Sequence, residues 1–324
     1  MVTQLCAEDV GAPLGMARTG PKVAILLGTF HGQQFLAEQL SSFATQTHSN
    51  WDVWASDDGS TDDTLTILEY FRGRWPAGRL SIHAGPARGF VSNFLFLTCN
   101  TAIQADYYAY SDQDDIWEPE KLERAVRWLE SVPAGIPALY CARTKLVDSN
   151  NQEIGCSPLF GNPSFANALV QSIAGGNTMV FNNAARALLL QAGAQLPVVY
   201  HDWWVYMAVT GCGGNVFFDP VPTLRYRQHD ANVVGVNLSW SARLQRMRKL
   251  WQGQHKKWHG DNITALRKLE NRLTPENREI LNQFADAREK SLILRLIHLC
   301  RSGVSRQTRL GNIALFAAAI FKKL

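Results

Sequence analysis

A chain of 324 residues with 46% hydrophobic content holds enough apolar side chain for one large α/β core and a smaller appendage, which excludes a disordered ground state. The net charge of +4 is too mild to identify a polyanionic partner on its own. Six scattered cysteines (Cys6, Cys99, Cys141, Cys156, Cys212 and Cys300) form neither a CxxC pair nor a zinc-like spacing, so they read as reduced cytosolic thiols.

Residues 1–21 have neither a basic start nor an apolar run, and read as a flexible extension instead of an export signal. The run VAILL, residues 23–27, is apolar without alternation, as in a strand covered on both faces. Leu36, Leu40 and Phe43 then recur at i, i+4 and i+7, which predicts a helix over 33–45. DVWAS predicts a second strand, and it runs into DDGSTDD. Leu65, Leu68 and Phe71 give another helical stripe, followed by a strand at LSIH, residues 80–83. A helix over about 93–105 and the strand YYAYS, residues 107–111, complete four strand–helix units, and the last strand enters DQDD. Strands alternating with helices of this length predict a parallel sheet with right-handed crossovers.

The second half is mixed. ALYCARTKLV and TMVFN read as strands, NAARALLLQAG as a helix ended by Gly193, and HDWWVYMAVTG as a helix ended by Gly211. Beyond about residue 239 the pattern is helical and rich in arginine and lysine. Its longest apolar run, IALFAAAIF at 313–321, falls short of the roughly 18 residues a spanning helix needs.

In a parallel sheet, Asp57 and Asp58 after the second strand and Asp112, Asp114 and Asp115 after the fourth project from one edge, where open α/β sheets bind ligands. Five carboxylates there repel one another unless a cation or hydrogen-bond donors offset them. A D-x-D oxygen set suits Mg2+ or Mn2+, and such ions complete their shells with water and substrate phosphate, so a diphosphate ligand is expected. For Asp62 and Asp63 the simpler reading is complementing the next helix's dipole, with Ser60 or Thr61 as the N-cap.

VAILLGTFHGQQFLAEQLSSFATQTHSNWDVWASDDGSTDDT, GFVSNF, YSDQDDIWEPEKL, GGNTMVFN, HDWW and YRQHDANVVG, in that order, resemble the motifs of family 2 glycosyltransferases of the GT-A fold, particularly bacterial rhamnosyltransferase-like members. The resemblance implies a Rossmann-like α/β domain at 22–235, with a mostly parallel sheet flanked by helices and a C-terminal helical region at 236–324. It implies that Thr29 and Phe30 line the nucleotide pocket, that Asp58 accepts from the base with Asp57 beside it, and that Asn93 lies close to the nucleotide. Asp112 falls nearer the ribose and Asp114 on the metal, with Asp115 as a second acid. Gly176 and Asn177 fall with the nucleotide sugar, although a tight turn explains the glycines equally well. Asp202 matches the catalytic base, for which a helix cap is the plainer alternative. His229 reads as a third metal ligand, a diphosphate contact or neither. His31 stands where many members have asparagine.

The resulting expectation is an inverting, Mn2+- or Mg2+-dependent glycosyltransferase. Its donor is a dTDP or UDP sugar, with dTDP-rhamnose as one candidate, and its acceptor a growing surface glycan or lipid-linked glycan. Two other readings stand beside it. A nucleotidyl or pyrophosphoryl transferase shares the acidic edge but wants a glycine-rich, lysine-bearing phosphate loop that is missing here. A nucleic-acid-binding protein would use the basic C-terminal helices but leaves the five carboxylates unexplained, so no nucleic-acid partner is expected. After Glu289 the chain has no acid and seven Lys or Arg, which fits either a helix lying on the cytoplasmic face of the inner membrane or one packed on the catalytic domain.

Overall fold

The computed structural model describes residues 18–228 and 254–324. The first half builds the expected units: β1 (Val23–Thr29), α1 (Leu36–Ala44), β2 (Trp51–Asp57), α2 (Thr64–Arg74), β3 (Leu80–Ala84), α3 (Phe90–Cys99) and β4 (Tyr107–Ser111). β1 lies between β2 and β4, and all these strand pairs are parallel. Val23, Ile25 and Leu27 point into one core and Ala24 and Leu26 into the other, so the unbroken apolar run is what a two-faced strand requires.

Three local expectations change. α2 buries Thr64, Ile67, Leu68 and Phe71, while Leu65 faces solvent, because the stripe is carried by 64, 67, 68 and 71. α3 begins three residues earlier than predicted, after Gly89 at φ 88°, a backbone state open to glycine. It ends six residues earlier than predicted, at Cys99, because the buried Arg186 guanidinium takes the carbonyls of Thr98, Asn100 and Ile103 at 3.0, 2.6 and 2.7 Å. Neither Ser60 nor Thr61 caps α2. Asp62 accepts the Thr64 N–H instead (3.1 Å), and Ser60 turns to the loop after β1.

The remaining elements are β5 (Ile116–Trp117), α4 (Lys121–Glu130), β6 (Ala138–Ala142), β7 (Lys145–Val147), β8 (Glu153–Cys156), α5 (Phe165–Ala168), β9 (Val180–Asn182), α6 (Asn183–Ala192), α7 (His201–Gly211), β10 (Asn215–Asp219) and β11 (Leu224–Arg227). The main sheet runs β10-β6-β9-β4-β1-β2-β3, with only β9 antiparallel to its neighbours. A second sheet, β5-β11-β7-β8, pins the chain immediately after the DQDD loop. This is the α/β, mostly parallel GT-A arrangement.

Four helices follow: α8 (Gln254–Arg267), α9 (Pro275–Glu289), α10 (Leu292–Ser302) and α11 (Arg309–Ile320). Leu266, Leu281, Phe284, Leu299 and Leu315 share one core with Phe165, Trp203 and Trp204, so these helices pack on the α5–α7 side of the catalytic sheet. Among the described residues, no helix is long and apolar enough to cross a membrane.

Candidate active site at the carboxyl edge of the sheet

At the end of β2 the acids are well supplied with donors. The Asp57 carboxylate accepts from Thr29 Oγ1 (2.9 Å), Ser60 Oγ (2.6 Å), Ser60 N (2.8 Å) and Gly59 N (3.2 Å). Asp58 accepts from Gly89 N at 2.7 Å and Arg88 N at 3.4 Å, and its own N–H reaches Thr29 O. The two acids therefore tie β1, the DDGS turn and the 85–89 loop into one wall. Asn93 is buried at the same corner, accepting from Ser56 Oγ (2.6 Å) and donating to Ser56 O (2.7 Å), so its amide tethers α3 to β2. Phe30 stays exposed above this wall, stacked on His31 with centroids 4.1 Å apart. An apolar platform beside backbone and carboxylate acceptors suits a planar base.

The end of β4 is built differently. Asp112 is largely covered, and burial, then the charges of Asp114 and Asp202, push its carboxyl up to about 8. Asp115 is fully buried: one oxygen accepts from Asn177 Nδ2 at 2.6 Å and the other has no partner. Burial, then Asp114 and Asp112, raise it well above the usual carboxylate range. Lys121, the first residue of α4, lies buried beneath this loop with Nζ 4.3 Å from the Trp117 ring centroid and no hydrogen-bond partner. Burial lowers it to about 7 against the attraction of Asp115, so both groups move toward neutrality. Gln113, between the two D-x-D acids, holds the loop against β1: it accepts from Phe30 N and donates to Phe30 O, each at 2.8 Å.

The GGN turn joins this loop to α7. Asn177 reaches Asp115, and the Gly176 N–H is directed at Asp202. Gly176 has to be glycine, because a Cβ there would lie 2.4 Å from His201 Nε2. His201 itself stacks on Phe94 at 4.0 Å, with neither ring nitrogen bonded, and burial depresses it to about 3. Asp202 stands in the first turn of α7 and accepts from Trp203 N at 2.6 Å. Burial raises it to about 6 despite these backbone donors. Such a carboxylate can take a proton near neutral pH.

Asp112, Asp114, Asp115, Gly176, Asn177 and Asp202 thus form one constellation, with Thr29, Phe30, Asp57, Asp58 and Asn93 forming the adjoining wall. His229 lies outside the described residues. Gln113, Lys121 and His201 escape sequence reasoning. Gln113 reads as a spacer within its motif, Lys121 as a surface lysine in WEPEKL, and His201 as the neighbour of the acid. No signal in a single sequence marks a lysine as buried.

An acid-lined strand edge joined through a glycine turn to the half-buried Asp202 is an arrangement that a GT-A glycosyltransferase could use. Residues 25–165 match the model of glycosyl transferase family 2. The chain is 27% identical over 286 residues to the dTDP-rhamnosyl transferase RfbG of Shigella flexneri, covering 83% of this chain and 92% of that one. Its fold is similar to that of S. aureus TarS 1-349 in complex with UDP-GlcNAc, with a TM-score of 0.51 and 14% identity over 93% of this chain and 90% of the other. GalNAc-T7 with UDP, GalNAc and Mn2+ gives a TM-score of 0.51 at 10% identity, over 88% of this chain and 56% of that one. The nucleotidyltransferase and nucleic-acid-binding readings draw no support from these matches.

Proposed function

We propose that this glycosyltransferase transfers a sugar, with rhamnose from dTDP-rhamnose as the first candidate, to a growing or lipid-linked glycan at the cytoplasmic face of the inner membrane, inverting the anomeric centre. The identity to a dTDP-rhamnosyl transferase over most of both chains supports the donor. The observation that carries the mechanism is Asp202, a carboxylate raised to about 6 and electrostatically coupled to Asp112 across the GGN turn. Asp202 takes the proton of the acceptor hydroxyl as that oxygen bonds to the anomeric carbon. The bond from that carbon to the diphosphate oxygen breaks, and the nucleoside diphosphate leaves with the electron pair. No covalent enzyme intermediate is needed.

The residues fit a hard divalent cation, Mn2+ or Mg2+. Asp112 and Asp114 offer oxygen ligands only, and the upward shift of Asp112 marks a place short of positive charge. Among the described residues, no three His, Cys, Asp or Glu side chains gather as a metal-holding group, so Asp114 with Asp112 would leave most of the shell to diphosphate oxygens and water. When bound, the ion would neutralise the departing diphosphate. Thr29, Phe30, Asp57, Asp58 and Asn93 would shape the nucleotide side, and Gly176 and Asn177 the sugar side.

Thermal-shift titration with a panel of nucleotide sugars, with and without Mn2+, tests this reading. Stabilisation by dTDP-rhamnose that is strengthened by Mn2+ and lost in Asp114→Ala is expected. Full transfer in excess chelator, or unchanged metal dependence in Asp114→Ala, would overturn the metal role.

A further inference from the structure

Nine of the sixteen exposed large hydrophobic side chains among the described residues lie between Leu292 and Phe321. They are ordered. On α10, Arg295, Leu299 and Ser302 turn inward, while Ile293 (73% exposed) and Ile297 turn outward. On α11, Leu315, Ala318 and Ala319 turn inward, while Leu310 (79%), Ile313 (66%), Phe316 and Ile320 recur outward at helical spacing. A surface helix of a water-soluble domain normally shows its polar side to solvent. These two helices bury one apolar face and present another.

The pair is also rigid. The buried Arg295 guanidinium donates to Ala319 O at 2.9 Å and to Lys290 O at 2.7 Å, locking the start of α10 against the end of α11. Asn167 Nδ2 donates to Ser305 O at 2.8 Å, and Gly161 N to the Gln307 side chain at 2.9 Å, fixing the connecting loop to the catalytic domain. The outward apolar stripe is therefore held in place by the fold.

The charge around the stripe selects what covers it. From Lys290 to Leu324 there is no Asp or Glu, and Lys290, Arg301, Arg309 and Lys322 are exposed. Within α10 and α11 the apolar side chains are accompanied by cations and no acid, with the exposed Glu289 just before them, and that composition matches an interface of acyl chains beneath anionic headgroups. Neither helix is long or apolar enough to cross a bilayer, so insertion is shallow and parallel to the surface.

We infer that the outer face of α10 and α11 is a docking surface for anionic phospholipid, through which the catalytic domain is seated on the membrane. The inference deepens the lipid-linked acceptor of the proposed function, and rests on that reading only for the purpose that docking serves.

The test is co-sedimentation of the full chain with vesicles, without donor or metal. Vesicles of phosphatidylglycerol with phosphatidylcholine are compared with phosphatidylcholine alone, at low and high salt. Binding to the anionic vesicles, weakened by salt, is expected. The double variant Ile313→Glu with Phe316→Glu should lower partitioning about tenfold or more while keeping its donor hydrolysis. Should that pair fail to fold, Ile293→Glu probes the same face from α10. Absence of anionic-vesicle binding by the unmodified chain, equal binding by the folded variants, or equal binding to phosphatidylcholine alone would overturn the inference. So would a lipid-free dimer that the variants dissociate, together with no vesicle binding, which would give the face to a second copy. Because vesicle binding is read without donor, failure of the glycosyl-transfer reading leaves this result separately visible.

Discussion

At the end of β2 the Asp57 carboxylate collects four hydrogen-bond donors, whereas at the end of β4 Asp115 has one and an orphaned oxygen, and Asp112 is driven to about 8. The two strand ends lie on one sheet edge and look alike in sequence, as paired acids after an aromatic-rich strand. The difference is where the compensating positive charge comes from. Around Asp57 the chain supplies it as N–H and O–H groups, and the acids brace a wall. Around Asp112 the described residues supply less of it, which is what a site completed by a ligand would require. Carboxylates with their donors in place are scaffold; carboxylates pressed together without them are chemistry.

The largest test of this contrast is Asp202→Asn. The amide keeps the shape and a capping oxygen but loses the proton acceptor, so glycosyl transfer should drop about 10²- to 10⁴-fold with the donor dissociation constant nearly unchanged. Steady-state transfer and donor binding on one preparation read both. Near-normal transfer would make Asp202 a helix cap and move the base elsewhere.

Next in size is the pH profile. With Asp202 raised to about 6 by burial, its basic form is lost as pH falls through that value, so transfer should fall about tenfold per pH unit below 6 and level off above it. A pH-rate series in unmodified protein, repeated on Asp202→Asn, checks this. Persistence of the acid limb in the variant would assign the titration to another group.

The same contrast explains how much could be read from residues alone. VAILL, the DDGSTDD turn and DQDD locate three strand ends, because unbroken apolar runs and abrupt acid clusters are local patterns. HDWW locates Asp202 by resemblance. What sequence hides is the bookkeeping between distant segments: Asn93 spends its amide on Ser56, and Arg186 stops α3 from across the core. Lys121 is buried under the acids it follows. Equally hidden is the turn of the C-terminal stripe outward. Periodicity finds an apolar face on α11 but does not say that Leu315 goes in and Phe316 out.

Asp57→Asn probes the scaffold end. The variant keeps one oxygen for the N–H groups of Gly59 and Ser60 but turns an NH2 group toward the Thr29 and Ser60 hydroxyls, which must give up their bonds to the carboxylate and reorient, at a cost of about 1–3 kcal/mol. Urea unfolding should show that loss, while Asp112→Asn at the other strand end, where burial and neighbouring acids already disfavour the charge, should unfold at or above the unmodified midpoint. Equal destabilisation of the two would erase the distinction between them.

The last effect is read as a slope and bears on the electrostatics directly. An aspartate in an unfolded chain titrates near 3.8, but burial and the charges of Asp114 and Asp202 hold Asp112 protonated up to about 8 when no cation is present. The folded protein therefore keeps a proton that the unfolded chain has released throughout that window. The stabilisation is fully present below 3.8 and is lost as pH rises to about 8, at up to about 1.4 kcal/mol per pH unit. Asp112→Asn cannot titrate, so it should remove that share of the slope. Unfolding free energies from pH 5 to 8 in chelator, with variant subtracted from unmodified protein, isolate it. Coincident slopes would mean that Asp112 is already ionised in the metal-free fold, and the end of β4 would then be as well supplied with compensating charge as the end of β2.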